Sequence, residues 1–176
     1  MGSRTIDVAR LRGTFEAAGL APLLADAVFE GREDALTDER ALALVMIDAD
    51  AIQRTLLASP RPVTIAGASA ALEAWDADLR SEKGELVPSD VTVLFAGGGA
   101  AVLLAPAKDA AALGARLEEQ YRSRMVARAT SAFVDVSPRE LVRGPRALER
   151  PVDELTRLGL AAGGGGLGGG PGGTGG

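Results

Sequence analysis

At 176 residues with a formal net charge of −5, the chain has room for one domain of roughly 100 to 150 residues plus tails, and its acidity speaks against a general nucleic-acid binder, whose phosphate contacts need a basic surface. Cys and His are both absent, which removes disulfides, thiolate and imidazole metal sites and Ser-His triads; any chemistry must come from carboxylates, backbone amides, Arg or Lys. The apolar share is 47% but aromatics make up only 3%, so the core is expected to be aliphatic and built from small residues.

The opening MGSRTIDVARLRG lacks the apolar run of a secretory signal, and no window approaches the roughly 20 apolar residues of a membrane span, so a soluble cytoplasmic protein is expected. Residues 1–40 read as an N-terminal helical extension. Val8, Leu11, Phe15 and Ala18 recur at helical spacing, a break follows at Gly19, and Leu20, Leu23, Leu24 and Val28 continue the pattern. These helices are expected to cover one face of the core, with Glu30 to Arg40 as a charged connection.

From Ala41 the pattern changes. ALALVMID is a continuous apolar run of strand length ending on an acid, as in a buried central strand whose end opens into a site. Asp48, Asp50, Ile52 and Gln53 lead into a helix with Ile52, Leu56 and Leu57 inward, stopped by Pro60 and Pro62. A second helix is predicted from about Gly67-Ala68-Ser69, with Leu72, Trp75 and Leu79 on its inner stripe and Glu73, Asp76, Asp78 and Arg80 outside. VTVLFA, Gly97-Gly98-Gly99 and AAVLLAP read as a strand, a turn and a returning strand. Ala107 to Met125 is predicted as a helix with Leu113, Leu117 and Tyr121 inward, and ATSAFVDVS as an alternating strand closed by Pro138. The segment beyond it is broken by Pro145 and Pro151. Residues 41–158 thus form one domain, an α+β fold of βαββαβ order: an antiparallel sheet with helices on one face, a ferredoxin-like palm. Residues 159–176 hold a glycine-dense tail or linker with too few side chains to build a core.

In a palm, the end of the first strand and the tip of the central hairpin lie side by side, and acids at those two places can hold two Mg²⁺ ions about 4 Å apart. This chain supplies Asp48 and Asp50 at the first place. At the second it has Gly97, Gly98, Gly99 and Ala100, with no acid.

IDADAIQRTLL, followed by Gly67-Ala68-Ser69 and by VLFAGGGAAVLLAP, resembles in order and spacing a palm domain from the large subunit of type III CRISPR effector complexes. Those subunits carry two palms related to GGDEF cyclases: one with a Gly-Gly-Asp-Asp hairpin that makes cyclic oligoadenylates from ATP, the other with a Gly-rich hairpin that binds nucleotide without those acids. The chain is similar to the second over about residues 42–138. Asp48 and Ile52-Gln53 match the family's Asp-x-x-x-Ile-Gln segment, and Phe95 to Pro106 matches its hairpin. Ala100 and Ala101 stand where the family often has a polar and an aromatic residue. The resemblance implies ATP or GTP held by Gln53, Gly67, Ala68, Ser69, Gly97, Gly98, Gly99 and Ala100, with the base beside Gly67 to Ser69. It also implies Mg²⁺ on Asp48 and Asp50, and as partner a second palm, in a homo- or heterodimer, or an effector complex serving antiviral defence.

Each of these residues has a plainer role open to it. Asp48 and Asp50 suit a helix N-terminus as caps. Three glycines suit a tight hairpin, Ser69 suits close helix packing, and Trp75 suits the core. Lys108, Arg116, Arg139, Arg143, Arg146 and Arg150 suit phosphates or a solvated face. Three functions follow: a catalytically degenerate nucleotide-binding palm, a self-sufficient Mg²⁺-dependent cyclase using Asp48 and Asp50, and a ligand-free structural module. Without hairpin carboxylates the cyclase would have too few hard oxygen ligands to fix two ions.

Overall fold

The computed structural model describes residues 7–49, 62–81, 86–125 and 128–143, with 153 and 157, and for residues 62–65 the backbone alone. Helix α1 (Val8–Ala17) opens on Asp7, whose carboxylate accepts the N–H groups of Ala9 at 2.9 Å and Arg10 at 3.3 Å, satisfying two donors that a first turn leaves free. Leu11 and Phe15 are buried as their spacing predicts. Gly19, at φ 78°, turns the chain into α2 (Leu23–Phe29). The inward positions of α2 are Ala25 and Ala27, whereas Leu23 is 75% exposed. Small side chains there let the short helix lie close against its neighbours.

Strand β1 (Leu42–Ala49) is followed by α3 (Pro62–Arg80), the hairpin of β2 (Thr92–Gly97) and β3 (Ala100–Pro106), then α4 (Ala110–Met125), β4 (Ala129–Val136) and a short α5 (Pro138–Val142). The four strands form one sheet in the order β2-β3-β1-β4, antiparallel at every step. Ala43, Val45, Ile47 and Ala49 pack with Trp75 and Leu79 of α3 and with Leu113, Leu117 and Tyr121 of α4. On the other face Leu42 and Leu44 pack with Leu11 and Phe15 of α1. Burial on both sides is why β1 is written as an unbroken apolar run rather than an alternating one. Trp75 and Tyr121 meet edge to face, with centroids 5.2 Å apart, at the centre of the first cluster.

Two polar contacts bind α1 to the start of β2. The Thr14 and Thr92 hydroxyls lie 2.8 Å apart in the interior, and the Arg10 guanidinium donates to the carbonyls of Val87 and Pro88 at 3.1 and 3.2 Å. Leu94 is an extra residue in β2: the register with β3 steps from Val93↔Leu103 to Phe95↔Val102. This bulge turns Ala96 in toward α3 and α4. At the far end of the sheet, Ser137 and Glu140 form a capping box for α5. Arg139 and Arg143 of that region pair at 2.6 Å with Asp38 and Glu33, tying it to the charged connection.

Two sequence expectations for α3 are corrected. The helix begins at Pro62 rather than near Gly67, and the helix expected before Pro60 falls outside the described residues. A proline has no N–H to leave unsatisfied in a first turn, so the residue that stops one helix serves equally to start the next. Asp76, expected outside, is only 6% exposed.

Candidate functional site

The register puts the end of β1 beside the hairpin tip. Asp48 stands opposite Ala100 of β3 on one side and Thr130 of β4 on the other, and the Ala49 N–H donates to the Gly99 carbonyl at 3.1 Å. Partners across a ladder share a face, so Asp48, Ala100 and Thr130 lie on the α1 side. The sheet there extends beyond the helices that cover Leu42 and Leu44, and Asp48 is exposed.

The turn itself is Gly98-Gly99, with φ of 67° and 83°. Both central residues in the left-handed region mark the two-residue turn whose twist suits a hairpin, and glycine takes that conformation without a Cβ penalty. Gly97 pairs with Ala100 as the last rung of the ladder. Gly98 is exposed, and a Cβ placed on it would meet nothing within 4 Å; Gly99 is buried.

The Gly98 N–H is not free for a ligand. It donates to Oδ2 of Asp76 at 2.7 Å, while Oδ1 of the same carboxylate is buried without a hydrogen-bond partner. Asp76 reaches the turn from α3, on the face opposite Asp48, so the two acids flank the tip from opposite sides of the sheet. A position four residues after Leu72 and three before Leu79 borders the inner stripe of the helix, which is the signal in the sequence that could have found it.

Gly67, Ala68 and Ser69 belong to the same helix as Asp76. They lie within α3, seven to nine residues before Asp76, or about 10 to 13 Å along the helix axis. Gly67 is exposed and Ala68 and Ser69 are half-buried. Asp50 and Gln53, with Ile52, fall outside the described residues. Among the described residues no group of three or more acids gathers to hold a metal, so Mg²⁺ would have Asp48 as its described ligand. Lys108, Arg139 and Arg143 stand at the other end of the sheet, after the residues that pair with Leu42, far from the tip. Arg146 and Arg150 lie outside the described residues. No described helix is long and apolar enough to cross a membrane.

Compared with known proteins, the chain matches no family model and no curated protein.

Proposed function

We propose that the chain is a nucleotide-binding domain of the ferredoxin-like palm class, catalytically degenerate, which presents ATP or GTP to a second palm that keeps its hairpin acids. The synthesis served would be that of a cyclic nucleotide or oligonucleotide in a type III CRISPR-like defence. The order strand, helix, strand, strand, helix, strand within an antiparallel β2-β3-β1-β4 sheet supports the fold reading. The observation that carries the functional reading is the pairing of Asp48 with Ala100, which sets an exposed carboxylate next to a side-chain-free turn.

In this reading the exposed backbone of Gly98 gives a ligand close approach, and Asp48, joined by Asp50, would hold Mg²⁺. The ion supplies charge neutralisation for a triphosphate. Asp48 would offer its carboxylate from the α1 face, and the partner palm would contribute the carboxylates that this hairpin lacks. One observation favours a structural module instead: the Gly98 amide is already satisfied inside the chain by Asp76.

Calorimetric titration of ATP and GTP, with and without Mg²⁺, into the wild type and Asp48→Ala separates the readings when pyrophosphate is followed in the same mixtures. Binding without turnover, weakened in the variant, supports the degenerate palm. Turnover by the chain alone replaces it with a cyclase. Silence from every nucleotide, with no thermal shift at millimolar ligand, leaves a structural module.

A further inference from the structure

We infer that Asp76 decides which part of a nucleotide the glycine turn receives: its carboxylate, held against the Gly98 amide, makes the hairpin tip a seat for the uncharged nucleoside and not for bare phosphate. This rests on the nucleotide-binding reading above. A phosphate at an exposed glycine turn seeks backbone N–H groups, and the one at Gly98 is spent on Asp76 at 2.7 Å. The acceptor is an acid that is only 6% exposed and whose second oxygen has no partner. Arg80 Nε donates to the Asp76 main-chain carbonyl, one helical turn away, and Arg124 pairs with Asp78.

A phosphate resting on Gly98 would therefore lie a few ångströms from a like charge across a thin layer of protein, where repulsion is poorly screened. A ribose or a base edge carries no such charge. Gly98 also leaves open space where a side chain would stand, so a flat ring can approach the backbone there. The phosphates are then directed away from the Asp76 side of the tip, toward the face on which Asp48 lies.

Asp76→Asn tests this, since the amide keeps an oxygen for the Gly98 N–H but loses the charge. Adenosine and Mg²⁺-free ATP are titrated into both proteins. The wild type should bind adenosine at least as tightly as Mg²⁺-free ATP. Asp76→Asn should tighten Mg²⁺-free ATP by about tenfold and leave adenosine within about twofold. An unchanged affinity for ATP, or equal shifts for both ligands, would overturn the inference while leaving the nucleotide reading intact. Hydrogen exchange at the Gly98 amide should be as slow in the variant as in the wild type; loss of that protection would overturn it too, by making the shape of the turn the cause. A wild-type preference for Mg²⁺-free ATP over adenosine defeats it without any variant. If neither ligand binds either protein, the nucleotide reading fails and this inference fails with it.

Discussion

Ser131 donates twice to one oxygen: its backbone N–H and its hydroxyl both reach Oε1 of Glu118, each at 2.7 Å. β4 is an edge strand, paired with β1 on one side, so an N–H pointing away from β1 has no ladder partner. The carboxylate of α4 fills that place. Glu118→Ala should lower stability by about 1 to 3 kcal/mol, read by urea unfolding, because it orphans a half-buried donor. It should also make the protein associate with rising concentration, read by sedimentation, by freeing part of a strand edge.

Directly below, Gly114 lets α4 approach β4. A Cβ there would fall 2.5 Å from the Ser131 Oγ and 3.2 Å from its Cβ. Alanine in a helix interior ordinarily gains about 1 kcal/mol over glycine. Here Gly114→Ala should instead cost about 1 to 3 kcal/mol through overpacking. In a Ser131→Ala background, which removes the nearer atom, the same change should cost less, and a double-mutant cycle of thermal midpoints would read the difference.

The Thr14–Thr92 pair predicts an asymmetry. Thr14 Oγ1 also reaches the Arg10 carbonyl at 3.1 Å, so Thr14 donates there and accepts from Thr92. Thr14→Val leaves the Thr92 hydroxyl buried and unpaired and should cost about 1 to 3 kcal/mol. Thr92→Val leaves the Thr14 donation intact and should cost less. The double Val variant should recover much of the loss, since both polar groups are gone; denaturant midpoints of the three variants check the order.

Glu140 makes part of the stability depend on pH. Burial works to raise its carboxyl, but the Ser137 N–H and the Arg40 guanidinium outweigh it and hold the group below its ordinary value of 4.5. A carboxyl lowered by folding binds fewer protons folded than unfolded as pH falls through that range. Its contribution is present above about pH 4.5 and is lost as pH drops through the lower folded value. Glu140→Gln should flatten the fall of the unfolding midpoint below about pH 4.5 relative to wild type.

The parts of the fold that could be read beforehand are those whose burial repeats along the chain. β1 showed as an apolar run, the inner face of α4 as Leu113, Leu117 and Tyr121, and the hairpin as glycines between two apolar segments. What stayed hidden depends on contacts between distant positions. Asp76 looked like a surface acid because its partner, the Gly98 amide, is 22 residues away, and no local spacing joins a helix carboxylate to a turn. Gly67 to Ser69 looked like a helix start beside the tip because Pro62 was taken as an end. The Leu94 bulge was invisible because one added residue leaves the apolar composition of β2 unchanged.

That added residue lets Val93 and Phe95, two apart in the sequence, take adjacent rungs opposite Leu103 and Val102. The glycine turn fixes Phe95 to Gly97, while Val91 to Val93 are fixed by Thr14 and the core. Deleting Leu94 would leave Phe95 opposite Val102 and Val93 opposite Leu103, so the tip beside Asp48 and the Thr92 hydroxyl beside Thr14 would both keep their places in a regular strand. A residue can therefore be gained or lost at this one position without changing which side chains of β2 face α1 and which face α4.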